Sequence, residues 1–407
     1  MIEIERAAGP IETDDKNDGR WTGLIAVVGL LVALALWSPI VFVMVVAILF
    51  FIFMHEVGHF VTARWTGMKA TEFFIGFGPR IFSFRRGETE FGLKPILVGA
   101  YVKIVGMNDL EEVDPADEPR TYRQATFPRK ALVITAGSMM HFVMAIVLFF
   151  GYFAFIGEPN IVDETAWTVT TPTVDSAAES AGLVAGDSII GIDGVPIHDF
   201  DDLRETVEAR AGKSVDIVIV REGVESTLSA DIGTNPSDSS KGFLGVGREY
   251  EIVRATQSIP AAAGHAVTEL PARAWDSISG LGMFVTDFGG YLDNVFTAPG
   301  NQDQIDFETR PISVIGVADV SRQIGAEAVY LLAFFNVFIG VFNLLPLLPL
   351  DGGHLAIAIY ERVRSRNGER YVADINKLLP ITYAVFLMMV VFGLGAIWLD
   401  IANPIRL

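Results

Sequence analysis

The sequence predicts a polytopic α-helical membrane protein that also carries an extracytoplasmic α+β domain and a membrane-associated β-hairpin in the cytoplasm. Hydrophobic residues make up 51% of its 407 residues, a share that suits several membrane-spanning helices. Apolar segments that approach or reach spanning length lie near residues 22–37, 40–60, 130–156, 329–350 and 380–400. The polar residues 157–329 are numerous enough to form a folded domain.

Basic residues orient these segments in the membrane. Residues 64–130 contain 11 lysines and arginines, whereas residues 157–329 contain 10 basic and 28 acidic residues. A second basic stretch consists of Arg362, Arg364, Arg366, Arg370 and Lys377. Because cytoplasmic loops are enriched in lysine and arginine, we expect the basic stretches in the cytoplasm and the acidic stretch outside an inner or plasma membrane. The net charge of −19 argues against nucleic acid as a partner, since binding to it requires basic surface.

These observations divide the chain into segments with predicted bounds. The N-terminal part has a polar leader (1–21), an extra hydrophobic helix (22–37), a first core transmembrane helix (38–63), a cytoplasmic loop with the β-hairpin (64–129) and a second core helix (130–156). The remainder has the extracytoplasmic domain (157–240), an extracytoplasmic linker or amphipathic region (241–328), a third core helix (329–353), a basic cytoplasmic segment (354–379) and a fourth core helix (380–407).

The extra segment 22–37 has two interpretations. Its sixteen residues are marginal for spanning a bilayer, and Ser38-Pro39 interrupts the helix before the next segment. We favour a separate helix that forms a hairpin with the first core helix and leaves the N-terminus in the cytoplasm; a kinked outer extension is the alternative. A cleaved signal peptide is not expected, because the leader is acidic and lacks a small-residue cleavage site.

A metal-binding pattern ends the second apolar segment, where His55 and His59 flank Glu56 in His-Glu-Val-Gly-His. On a helix, positions i and i+4 share one face, so both imidazoles reach one zinc ion while Glu56 reaches a water beside it. The pattern also occurs by chance, with the histidines as satisfied core residues. The preceding residues 40–54 carry no charge, however, and ionisable groups at that depth are expected to pair or to function.

Asp351 is the candidate for a third ligand. It ends another apolar stretch, in which Pro346 and Pro349 must interrupt the helix and free backbone carbonyls. Irregular backbone is tolerated at membrane depth only where it packs in protein or lines a wet cavity. If the core helices alternate in direction, Asp351 reaches the same leaflet as the two histidines. The chain has no cysteine, which leaves histidine and carboxylate as the zinc ligands.

The combination resembles the site-2 proteases, the zinc intramembrane proteases that include the regulator of sigma-E protease of bacteria. The motif His-Glu-x-x-His, the segment Asn-Leu-Leu-Pro…Leu-Asp-Gly at 343–352, and the segments 74–79 and 90–104 carry the resemblance, which covers most of the chain. It implies Zn²⁺ held by His55, His59 and Asp351, with Glu56 as the catalytic base and Asn343 near the reacting carbonyl. It also implies hydrolysis of peptide bonds within transmembrane segments of single-pass proteins, of the anti-sigma-factor or remnant-signal-peptide type, in regulated intramembrane proteolysis.

Two elements depart from the family pattern. The second core helix reads Ala-Gly-Ser-Met-Met-His at 136–141, where many relatives have Gly-Pro and later an asparagine, and residues 310–316 only loosely match a Gly-Pro-x-Gly element. His141 keeps a polar group in that helix, so it either hydrogen-bonds the substrate backbone, an oxyanion or the metal shell, or has an internal packing role. His354 follows Asp351 closely, and we interpret it as a neighbour of the site, since a fourth protein ligand suits a structural site.

In the outer domain, residues 175–197 resemble a PDZ domain of bacterial proteases. A turn at 186–187, a strand at 188–192, a hairpin turn at 193–194, a helix at 201–210 and a strand at 214–220 follow from the local pattern. A strand beside a helix forms a groove in which such domains add a peptide. The predicted groove region contains Gly182, Leu183, Gly186 and Asp187; a plain structural spacer is the alternative.

On the cytoplasmic side, residues 88–104 read as paired strands that turn at Gly99. The resemblance implies a hairpin that dips toward the active site, where an edge strand could hydrogen-bond an unwound substrate. The acidic stretch 111–118 is interpreted as a solvated loop.

Two other classes of function compete with a protease. One is a non-catalytic, zinc-stabilised membrane scaffold whose PDZ-like domain binds partners, but a structural zinc site has no need of a carboxylate at Glu56. The other is a metal transporter, which would require a chain of ligands across the bilayer, whereas the sequence shows one cluster near one leaflet. The expected surroundings of a protease are membrane lipid and single-pass transmembrane substrates.

Overall fold

The computed structural model describes residues 20–107, 112–161, 167–235, 238–250, 252–297, 312–365, 371–374, 377–402 and 404–405. The chain divides into two compact units, one made of Met1–Phe153 with Ser258–Leu407, and the other of Ala154–Gln257. Predictions for the leader before residue 20, for part of the acidic stretch, for 298–311, and for Arg366 and Arg370 fall outside the described residues.

The elements have the following bounds. The helices are α1 (Arg20–Trp37), α2 (Pro39–Trp65), α3 (Phe127–Gly151), α4 (Ala177–Ala181), α5 (Phe200–Glu208), α6 (Ile259–Thr286), α7 (Phe288–Thr297), α8 (Val314–Ile324), α9 (Ala328–Asn343), α10 (Asp351–Arg364) and α11 (Leu379–Ala402). The strands are β1 (Ala70–Phe77), β2 (Phe82–Arg86), β3 (Thr89–Leu93), β4 (Ile96–Ile104), β5 (Glu158–Ile161), β6 (Trp167–Val169), β7 (Ser188–Ile192), β8 (Val195–Pro196), β9 (Ser214–Arg221), β10 (Val224–Asp231), β11 (Gly233–Asn235), β12 (Asp238–Phe243), β13 (Arg248–Tyr250) and β14 (Ile252–Ala255). Short 3₁₀ turns at Glu118–Arg120 and Gly325–Glu327, and a π-helical turn at Tyr152–Ile156, complete the structure.

Among the described residues, four helical segments are long and apolar enough to cross a membrane: Pro39–Trp65, Phe127–Ile156, Val314–Asn343 and Leu379–Ala402. The third begins well before the predicted start near 329, because α8 and α9 continue one another across the turn at Gly325, whose φ is +60°. Asp319 and Arg322 made α8 look like part of the polar linker in the sequence.

The extra helix α1 folds back beside α2. Ser38 adopts an extended backbone with φ −155° and ψ 104°, and Pro39 begins α2. A Cβ added at Gly23, near the start of α1, would lie 3.0 Å from Cγ1 of Ile81, a residue that follows α2 in the chain. A contact between the start of α1 and the chain beyond α2 favours the helical hairpin over the kinked extension, and the hairpin stays a prediction.

The region predicted as the cytoplasmic loop forms a four-stranded sheet with the order β2-β3-β1-β4. β1 is parallel to β3 and antiparallel to β4, and β2 is antiparallel to β3. The predicted single hairpin that turns at Gly99 is therefore wrong, since Gly99 lies within β4 and the strands on either side of Pro95 both pair with β1. β1 lies between β3 and β4, and its Phe73 is buried against Phe53 and Phe60 of α2.

The second unit is built around a sheet of order β10-β9-β7-β8, with the additional pairs β6-β13, β5-β14 and β11-β12. It extends to residue 257 and not only to the predicted boundary at 240, because β13 and β14 return to pair with β6 and β5. Asp193 and Gly194 have φ of 49° and 78°, and they form the tight turn between β7 and β8 that the sequence predicts.

Candidate metal centre

The structure brings the three predicted ligands together. Nε2 of His55 and Nε2 of His59 each lie 3.3 Å from Oδ2 of Asp351, and the two nitrogens lie 3.1 Å apart. Zinc binds such atoms tetrahedrally at about 2.0–2.1 Å, which separates the ligand atoms of one ion by about 3.3–3.5 Å. The three atoms therefore have the spacing that one zinc ion requires, and these residues could form a metal site.

The hydrogen-bond partners of the three side chains are compatible with a cation bound between them. Oδ2 of Asp351 is buried, and within the described part of the chain it has no hydrogen-bond partner. Nδ1 of His59 lies 2.8 Å from the carbonyl oxygen of Val133, which can only accept, so His59 carries its proton on Nδ1 and leaves Nε2 free. This outer contact fixes the orientation of a metal-binding histidine. A zinc ion would satisfy the two Nε2 lone pairs and the carboxylate at once.

Asp351 reaches the histidines because the third span ends at Asn343 and a new helix begins at Asp351 itself. Glycines after Asp351 permit the intervening turn to fold against α10. A Cβ added at Gly352 would lie 2.2 Å from the carbonyl oxygen of Leu345, and one added at Gly353 would lie 2.5 Å from the backbone nitrogen of Leu348. No larger residue fits at either position, so the two glycines hold the carboxylate in place.

Gly137 is a site residue to which the sequence assigned no role. A Cβ added there would lie 2.4 Å from Cε1 of His55 and 2.5 Å from Nε2 of His59. α3 therefore presents bare backbone to the two imidazoles. The available signal was the small-residue run Ala-Gly-Ser in an otherwise bulky apolar helix.

Glu56 is half-buried on α2, and α2 packs against β4. Among the described strands, β4 pairs only with β1, so no described strand covers its other edge. The site thus combines a metal-binding group, a carboxylate and an adjacent strand edge.

The remaining polar candidates occupy different positions around this centre. His141 is buried on α3, with its ring centroid 5.2 Å from that of His55, and it pairs with Asn336 on α9. Asn343 ends α9 and is half-buried, and His354 lies on α10 outside the three-ligand group. Asn336 was missed, although a lone polar residue in the apolar run 328–342 was a usable signal.

In the second unit, the predicted groove residues have structural positions. Leu183 belongs to the hydrophobic core with 3% exposure. Asp187 is fully buried and accepts two hydrogen bonds from the guanidinium of Arg221, at 2.7 and 2.8 Å, which hold the pKa of that carboxyl below its usual value. Gly182 and Gly186 supply left-handed turns, with φ of 83° and 90°. The side chains of Leu183 and Asp187 are thus buried inside the unit, and the groove itself stays a prediction.

Comparison with known proteins gives a consistent result. Residues 43–390 match the sequence profile of peptidase family M50. The chain is 33% identical over 401 residues to zinc metalloprotease Rip1 of Mycobacterium tuberculosis, which covers 89% of this chain and 96% of the relative. Identity to Rip1 of Mycolicibacterium smegmatis is 32%, with 89% and 97% covered, and to a putative zinc metalloprotease of Rhizobium meliloti 31%, with 86% and 93% covered. A solution structure from Geobacillus thermodenitrificans matches 20% of this chain and 92% of its own, at 27% identity and a TM-score of 0.18.

Proposed function

The chain belongs to peptidase family M50, and we propose that it hydrolyses peptide bonds within the transmembrane segments of single-pass membrane proteins. The chain is a multi-pass membrane protein and a zinc metalloprotease of the site-2 type. The observation that carries the proposal is that His55, Glu56 and His59 lie on α2, a helix apolar enough to span a bilayer, and that Asp351 completes their metal-binding group. A substrate for such a site must itself enter the membrane.

Glu56 acts as the general base and then as the general acid. When bound by His55, His59 and Asp351, zinc would lower the pKa of a coordinated water and polarise the scissile carbonyl. Glu56 takes a proton from the attacking water and returns it to the leaving amine, so no covalent intermediate with the enzyme is needed. Asn343 is assigned to the reacting carbonyl, where its amide N–H would stabilise developing negative charge.

The edge of β4 that faces away from β1 holds the substrate in an extended form. A helical peptide bond is shielded by its neighbouring turns, so cleavage requires local unwinding. Added as a further strand on β4, the substrate backbone would exchange its helical hydrogen bonds for sheet bonds. The packing of β4 against α2, the helix that carries Glu56, supports this role.

The second unit is proposed to lie outside the cell and to act on substrates before they reach the zinc. The acidic composition of 157–329 and the basic composition of 64–130 support this sidedness through the positive-inside rule. A PDZ-like groove in this unit is supported by the position of β13, which pairs on one edge with β6 and lies near α5 through Arg248 and Phe200. A peptide could bind between β13 and α5 as an added strand. The unit would take part in regulated intramembrane proteolysis by excluding substrates with bulky outer domains.

Purified enzyme in detergent or lipid, supplied with a single-pass substrate, tests the proposal. Glu56→Gln should retain zinc and lose cleavage, because the ligands remain while the base is gone. Asp351→Ala should instead lower the zinc content, since one of three protein ligands is lost. Full cleavage by metal-loaded Glu56→Gln would overturn the mechanism. Zinc-dependent folding without cleavage of any transmembrane substrate would favour the scaffold alternative.

A further inference from the structure

A buried histidine and a buried asparagine form a pair beside the metal centre. His141 on α3 is 1% exposed, and Asn336 on α9 is fully buried. His141 lies one helical turn after Gly137, the residue whose missing side chain makes room for His55 and His59. Side chains on a helix lean toward its N-terminus, so the His141 ring leans toward that space. Its centroid lies 5.2 Å from the ring of His55, which places it next to the ligands and not among them.

The hydrogen bonds of Asn336 determine which nitrogen of His141 carries the proton. The side-chain nitrogen of Asn336 lies 3.0 Å from the carbonyl oxygen of Leu332, which can only accept, so that nitrogen is the donor. Its oxygen is therefore the atom 3.0 Å from Nδ1 of His141, and it too can only accept. Nδ1 must donate. A buried imidazole whose bonded partner is an amide is expected to be neutral, because burying an uncompensated charge is costly, and neutral imidazole has one N–H.

We propose that Asn336 holds His141 as its Nδ1–H tautomer, so that the unprotonated Nε2 on the opposite ring edge accepts a hydrogen bond from the nucleophilic water. The inference rests on the proposed protease function and refines it. His141 is then a positioning residue, which orients the water while Glu56 removes its proton. An oxyanion needs a donor, and in this tautomer Nε2 has no hydrogen to donate. The role of His141 in oxyanion binding that the sequence allowed is therefore replaced by an acceptor role.

The tautomer is measurable without any reaction. In the zinc-loaded chain labelled with ¹⁵N-histidine, with the His141 signals assigned by their loss in His141→Asn, Nδ1 should show the shift of a protonated nitrogen and Nε2 that of an unprotonated one. Asn336→Leu removes the acceptor and should move the population toward Nε2–H, whereas Asn336→Asp keeps an acceptor and should retain Nδ1–H. An Nε2–H tautomer in the natural chain would overturn the proposal.

Kinetics separate a positioning role from a packing role. In His141→Asn, the new side-chain nitrogen can still donate to Asn336 while the acceptor at Nε2 is lost. We expect kcat to fall about tenfold to a hundredfold, with KM and zinc content unchanged. Thr135→Val is the matched control, since it removes a back-bonded polar side chain from the same helix and should cleave normally. A kcat in His141→Asn equal to that of the unmodified chain, with or without a raised KM, would refute the proposal that His141 orients the water.

The two proposals fail in different ways. Failure of the proposed protease mechanism would appear as normal cleavage by Glu56→Gln, whatever the tautomer of His141. Failure of the present inference would appear in the ¹⁵N spectrum or in the kinetics of His141→Asn, with Glu56→Gln still inactive.

Discussion

Replacing Gly137 with alanine should disable the metal centre through a single methyl group. The added Cβ would lie 2.4 Å from Cε1 of His55 and 2.5 Å from Nε2 of His59. Non-bonded heavy atoms pack at about 3.5–4.0 Å, so the overlap is about 1 Å on both rings. α3 or the imidazoles must move by a similar distance.

Such a shift is large compared with what a zinc site tolerates. Ligand distances must stay within about 0.2 Å of their ideal values, and the ligand atoms here already have a zinc-compatible spacing of 3.1–3.3 Å. We therefore expect Gly137→Ala to weaken zinc binding by about tenfold to a hundredfold, which is the range for changes to residues that contact the ligands. Cleavage at limiting zinc should fall in proportion.

The assay is zinc content of the purified chain across a graded series of chelator concentrations, with helical content followed in parallel. Gly151→Ala is the matched control, because Gly151 is also in α3 and a Cβ there meets nothing within 4 Å. Alanine is the better helix former, so the control should retain zinc and lose no stability. If Gly137→Ala and Gly151→Ala release zinc at the same chelator concentration, the close approach of α3 to the histidines does not limit the site.

Three further predictions concern stability and orientation. Because Arg221 lowers the pKa of Asp187, the ion pair should stabilise the second unit at pH values above the unfolded pKa of about 4. That stabilisation should be lost as the pH falls through the lower pKa of the folded state. Hydrogen-exchange protection of β7 and β9 should therefore drop on acidification, and it should drop much less in Asp187→Asn. Glu361→Gln should lower the free energy of unfolding by about 3 kcal/mol, because Lys130, which is 7% exposed, loses its ion pair at 3.0 Å. Unfolding in detergent would measure this loss of stability. The double variant Lys130→Met with Glu361→Leu should restore most of the lost stability. A cysteine at Glu3, outside the described residues of a chain without cysteine, should stay unlabelled by an impermeant thiol reagent in intact cells if the N-terminus is cytoplasmic, and labelling would contradict the predicted orientation.

The sequence by itself determined the ligand chemistry. His55, Glu56 and His59 lie within one and a half helical turns, so local helix geometry alone puts them at one place. Asp351 was identifiable because a carboxylate after two prolines in an apolar run is costly unless it has a partner. Four of the five apolar segments overlap the described helices long enough to span a membrane, since spanning length and lack of charge are properties of a continuous stretch.

The tertiary structure alone decided which other residues serve the site. The contacts of Val133 with His59 and of Asn336 with His141 join residues separated by 74 and 195 positions in the chain. Gly137 matters for what α2 places against it, and Phe73 of β1 is buried against aromatic rings that α2 presents. Periodicity describes which face of one element is apolar, but not which element covers that face. Close approach and hydrogen-bond partnership arise only when segments distant in sequence pack together. The small-residue run around Gly137 and the lone polar Asn336 could therefore mark unusual positions in the sequence, but not their partners.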